Sequence, residues 1–185
     1  MDLSTFVSRL DDKLDTDAYS DLDASANGLQ VGPDEKSLDH AAFAVDAAVA
    51  TIEDASDAGA DALVTHHGLS WGGIERVTDR HYDRISALVD NDIALYVSHL
   101  PLDGHQTLGN AAAVADLLDL DDTEPFGTMG PEVVGQQGVA PSSLTRDELT
   151  TTLEAELEDD DVQTLDFGPE NIDRVAVVTG SGTDW

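Results

Sequence analysis

The chain has 185 residues, 39 of them Asp or Glu against 8 Lys or Arg, giving a formal net charge of −31. That balance leaves no basic patch for nucleic acid, no run of about 18 apolar residues to cross a membrane, and no Cys for disulfides, thiolate metal sites or thiol nucleophiles. A hydrophobic content of 41%, arranged in runs such as Ala41 to Val45, predicts a folded α/β core rather than disorder.

In chain order, Ser4 is expected to cap an amphipathic helix with Phe6, Val7, Leu10 and Leu14 on its apolar face. A turn-rich stretch follows, Asp21 to Pro33, containing Asn27-Gly28-Leu29-Gln30-Val31-Gly32. Ala41 to Val45 reads as a strand, residues 47–58 as an Ala-rich helix and Ala62 to Thr65 as a second buried strand. Strand, helix and strand so close together form a βαβ unit, which implies parallel pairing. Arg80 to Asp90 is helical, Ile93 to Val97 is the next strand, and a loop from Ser98 leads to a helix over 111–118.

The region Asp119 to Pro141, rich in Gly and Pro, reads as loop with a strand near Val133. Thr145 caps a last helix to about Leu157, Asp159 to Asp161 reads as a solvated turn, and Arg174 to Thr179 as a final strand. The stretch Val175-Ala-Val-Val-Thr-Gly-Ser-Gly182 looks like a second copy of the strand at Ala42 to Asp46, without the helix and strand that follow the first copy. Such a repeat suggests a chain lacking its last βαβ unit. Gly180-Ser181-Gly182 is too short for a phosphate loop.

Chemistry gathers where two strands end. His66 and His67 close the strand Ala62 to Thr65, while His99 and Asp103 follow the strand Ile93 to Val97. In parallel sheets ligands bind beyond the carboxyl ends of the strands, so these residues are expected to converge. Adjacent side chains leaving a strand point apart, which suits two neighbouring metals better than one. Imidazole and carboxylate without thiolate favour Zn, Fe, Mn, Co or Ni. His40, His81 and His105 read as surface or core residues, and a structural role for the histidine pair is the bland alternative.

Four motifs carry a resemblance to a known family. They are Asn27-Gly-Leu-Gln-Val-Gly32, Leu63-Val-Thr-His-His-Gly-Leu-Ser-Trp71, Ser98-His-Leu-Pro-Leu-Asp103 with Gly109-Asn110 beyond it, and Val175 to Gly182. In this order they resemble the Nif-three-like dinuclear-metal-centre hexameric proteins, often described as GTP cyclohydrolase 1 type 2 homologues. The resemblance implies a two-lobed, internally duplicated α/β fold, a mixed sheet with flanking helices. Residues 1–120 would form the first lobe, and 121–185 a linker and the start of the second. It also implies a homo-hexamer, and two divalent metal ions held by His66, His67 and Asp103, with His99 beside them to support a ligand or transfer a proton. The family completes its site with a Gly-His-Tyr-x-x-Glu motif that is not found here, so only a partial metal site is expected in this chain.

Two functions follow as expectations. One is a metal-dependent hydrolase of the GTP cyclohydrolase or amidohydrolase type acting on a small molecule or nucleotide. The other is a non-catalytic metal-binding scaffold, chaperone or regulatory protein. The charge adds an environment: 29 Asp, only two Lys (Lys13 and Lys36) and a start, Met1-Asp2-Leu3-Ser4, without a basic leader fit a cytoplasmic protein of an extreme halophile.

Overall fold

The first helix, α1 (Leu3–Leu14), starts ahead of its expected cap. Asp2 is the N-cap, its Oδ1 accepting from the Thr5 N–H at 2.9 Å, while the Ser4 and Thr5 hydroxyls also donate to that carboxylate. A charged acceptor is better suited to the positive end of a helix than the Ser4 hydroxyl. In this computed structural model residues 1–33, 35–158 and 161–180 are described. Most of the Asp159–Asp161 turn and of the Gly180-Ser181-Gly182 run therefore lies outside the described residues. The chain divides into two compact units, Met1–Leu102 and Asp103–Trp185.

The first unit is built on a four-stranded sheet in the order β1-β4-β3-β2. Strands β2 (Ala41–Asp46), β3 (Ala62–His67) and β4 (Ala94–Val97) run parallel, as the βαβ spacing predicts. Strand β1 (Gly28–Val31) pairs antiparallel with β4, which makes the sheet mixed. The turn signals of Asp21 to Pro33 conceal it, because four residues carry too little alternation to register as a strand.

Side-chain alternation sorts the helices. Leu63, Leu95 and Val97 pack with Ile52 and Ala55 of α2 (Val49–Asp57) and Leu88 of α3 (Asp79–Asp90). Ala62 and Ala94, of opposite parity, meet Leu3, Phe6 and Val7 of α1. Ile52, Leu63, Leu88 and Leu95 are fully buried, each worth about 1.5–3 kcal/mol relative to exposure. Thr65 pairs with Val97, and the Ser98 N–H continues the ladder onto the Thr65 carbonyl at 2.9 Å. His66-His67 and Ser98-His99 therefore leave neighbouring strands at the same edge.

In the second unit, α5 (Asn110–Leu117) precedes a three-stranded antiparallel sheet, β5-β6-β7. Its strands are β5 (Asp121–Met129), β6 (Glu132–Thr145) and β7 (Asn171–Val178). The expectation of a loop from Asp119 to Pro141 is overturned: this segment is most of a β-hairpin. Gly135 and Gly138 within it mark close approach rather than breaks. A Cβ at Gly135 would stand 2.3 Å from the Val177 carbonyl oxygen. Helix α6 (Arg146–Leu157) begins as expected, with Thr145 and Glu148 forming a reciprocal capping box.

Candidate metal centre

Strand β3 ends on His67, and the chain turns out of the sheet at Gly68. Inside a strand adjacent side chains would diverge, but at this last residue the two imidazoles converge, with ring centroids 4.8 Å apart and planes tilted by 37°. His99, arriving from the end of β4, places its ring 4.8 Å from that of His66 and 5.7 Å from that of His67. One ring nitrogen from each lies within 4.8 Å of the others, so this cluster can hold a metal ion.

Two of the rings have their tautomer set from behind. The Nδ1 of His66 lies 3.1 Å from the Ser98 carbonyl oxygen, which can only accept. The Nδ1 of His99 lies 3.0 and 3.1 Å from the two carboxylate oxygens of Asp23. Protonated Nδ1 leaves the lone pair of the neutral ring on Nε2, the arrangement of a metal-ligating histidine backed by a carbonyl or carboxylate. The donor set therefore suits a first-row divalent ion.

Asp23 is the functional residue that sequence reasoning misses. Its side chain is 2% exposed. Burial pushes its carboxyl pKa up, but hydrogen bonds from His99, from Asn27 Nδ2 and from the backbone N–H groups of Ser25 and Leu100 outweigh this and bring it down to about 2. Among 29 Asp, its only sequence signal is the Asp23-x-Ser25-x-Asn27 spacing, an Asx-type turn that Asn27 closes.

The loop after β3 is clasped as well. Gln30 accepts from the Leu69 N–H at 2.9 Å and donates to the Ala26 carbonyl, tying this loop to the Asn27 segment. From α3, buried Arg84 donates to the carbonyls of Ala47, Leu69 and Gly68, and His81 Nε2 to that of Leu69. His81, expected to be a surface or core residue, thus braces this loop. Trp71 reaches over the cluster, its ring edge-on to His99 at 4.7 Å and to His67 at 5.7 Å.

Asp103 ends the single-turn helix α4 (Leu100–Asp103) and opens the second unit. It is 4% exposed, and its Oδ1 accepts from Asn110 Nδ2 at 2.9 Å and from the Thr179 hydroxyl at 3.0 Å. Asn110, quoted with the third motif, thus supports that carboxylate.

A mixed α/β sheet that presents three imidazoles at the carboxyl edge of its parallel strands defines the class, and comparison with known proteins supplies the family. Duf34/NIF3 (NGG1p interacting factor 3) matches residues 1–185, and the chain belongs to this family. A GTP cyclohydrolase 1 type 2 homolog of Halobacterium salinarum is 54% identical over 187 residues, covering 100% of this chain and 73% of the relative. The fold is shared with protein ybgI, of unknown function, at a TM-score of 0.85 and 34% identity, covering 100% of this chain and 72% of that one. TTHA1606 from Thermus thermophilus gives a TM-score of 0.88 at 30% identity, with the same coverage of 100% and 72%. No helix among the described residues is long and apolar enough to cross a membrane.

Proposed function

We propose that the protein is a metal-dependent hydrolase of the GTP cyclohydrolase or amidohydrolase type, this chain supplying a partial site for the two divalent ions expected of the full-length family. The observation that carries this reading is the cluster of His66, His67 and His99, two of whose rings are oriented by an acceptor at Nδ1. The relatives' description as GTP cyclohydrolase 1 type 2 homologs supports the reaction class. His66 and His67 would hold metal through their imidazoles, and Asp103 is carried as a carboxylate ligand on the family resemblance. Bound divalent ions supply an activated water and polarise a carbonyl or phosphoryl oxygen. His99 would support the site at Nε2 as a third imidazole or, where no ion occupies that nitrogen, take up a proton there, with Asp23 stabilising the resulting imidazolium. A homo-hexamer, on the same resemblance, and a cytoplasmic location, on the acidic and Lys-poor composition, complete the proposal.

The net charge of −31 opposes the approach of a nucleotide and favours a second reading, a non-catalytic metal-binding scaffold. Elemental mass spectrometry and turnover assays with GTP separate the two. Bound divalent metal in the wild type, at fewer than the two ions per chain expected of the full-length family, a loss of most of that metal in His66→Ala, and turnover abolished in Asp103→Asn would support the hydrolase. Metal without turnover on any candidate substrate would support the scaffold, and no metal in the wild type would reject both. Light scattering of the purified protein tests the hexamer.

A further inference from the structure

The clamp behind His99 is built from residues to which neither the motifs nor the comparisons assign a role. Four donors converge on the Asp23 carboxylate: the His99 ring at 3.0 Å, Asn27 Nδ2 at 2.8 Å, and the backbone N–H groups of Ser25 and Leu100 at 2.9 Å. Asn27 returns the contact, its Oδ1 accepting from the His99 backbone N–H at 2.8 Å. Ring, backbone and following residue of His99 are therefore all held by the segment Asp23 to Asn27, which precedes β1 and lies more than 70 residues away in the chain.

We propose that Asp23 is the positioning residue of the centre: it fixes the Nδ1–H tautomer of His99 and so directs the lone pair of Nε2 toward His66 and His67. The inference rests on the metal-binding reading of the same site and adds the residue that prepares it. A carboxylate offers acceptors only, so it admits one tautomer of a neutral imidazole. A free neutral imidazole can place its proton on either nitrogen. A turn cap alone would need the Ser25 N–H and would have no use for the ring contact. Carboxylate partners of ligating histidines raise ligand basicity, and their loss costs about 10–100-fold in metal affinity.

The test reads the tautomer and the affinity separately. Long-range 1H–15N correlation spectra of the metal-free protein at about pH 8, where the neutral form of an ordinary imidazole predominates, should show His99 protonated at Nδ1. In Asp23→Ala the proton should move largely to Nε2, and the Kd for Zn(II) should rise about 10–100-fold. Leu95→Ala, destabilised in the core away from these bonds, serves as the control and should keep wild-type Zn(II) affinity. A wild-type His99 protonated at Nε2 would overturn the proposal, and this measurement needs no variant to fold. Unchanged Zn(II) affinity in a folded Asp23→Ala protein would overturn it too. If the wild type binds no Zn(II) while the tautomer switch occurs, the metal reading fails and the clamp stands.

Discussion

Strand β4 of the first unit is buried at all four positions and runs directly into Ser98 and His99, whereas the first five residues of β5 in the second unit are all exposed. A central parallel strand, covered on both faces, is apolar along its length but for the Tyr96 hydroxyl, which is satisfied by Thr16 and Asp11. Most of the unit's buried polar groups gather at the carboxyl end, where Ser98, Ser25 and Arg84 lie. The antiparallel sheet distributes its charge instead. Glu124 on β5 accepts from Gln137 of β6 and pairs with Arg174 of β7, all on exposed surface. One sheet concentrates function at an edge by excluding it elsewhere; the other tolerates polar groups throughout.

If that contrast is right, perturbations of the two units should rank by burial. Salt is expected to have the largest effect, because lowering it from about 1 M to 0.1 M lengthens screening from about 3 to about 10 Å. At a net charge of −31, thermal melts should then fall steeply, and a melting temperature indifferent to KCl would refute the halophilic reading. Next comes Leu95→Ala, which empties a fully buried position and should cost about 2–5 kcal/mol in urea unfolding. Gly135→Val, whose Cβ would collide with the Val177 carbonyl, should cost about 1–3 kcal/mol. A larger loss for Gly135→Val than for Leu95→Ala would break the comparison.

A smaller effect is expected from Gly68→Ala. Its Cβ would stand 2.4 Å from Gln30 Nε2, so Gln30 must release Leu69 or Ala26, at about 1 kcal/mol. Isothermal titration with Zn(II) should register this change as weaker binding, since it loosens the loop that follows His67. The smallest effect concerns acid. Backbone N–H bonds from His40 and Asp39 lower the carboxyl pKa of partly exposed Asp61. A lowered folded pKa gives stability that is present above the unfolded value near 3.9 and is lost as pH falls below it. Asp61→Asn should therefore flatten the stability profile below about pH 4 and leave its slope near neutrality unchanged.

The parallel core was legible because its strands are apolar runs and its helices keep a clear stripe, as in Leu63, Ile85 and Leu88. The histidines were legible because β3 and β4 end where the apolar runs end. The hairpin was not, since Pro125, Gly127, Gly135 and Gly138 look like breakers, and only the atoms packed against Gly135 and Gly138 show that those two positions require glycine. Cap choice at α1 was a contest between Asp2 and Ser4 that only geometry decides. Asp23 was hidden by abundance, one carboxylate among many, and its partner His99 is remote in the chain.

Trp71 gives the centre a signal of its own. The chain has two tryptophans, and this one is 55% exposed with its ring against two of the three imidazoles. Indole emission is sensitive to a charged imidazole or a transition ion at such range, so the protein carries an intrinsic optical gauge of its site. Titrating Co(II) while following fluorescence, with Trp185→Phe to remove the other emitter, would read occupancy without any added dye. Emission that stays flat while Co(II) binds would mean that the indole does not sense the site.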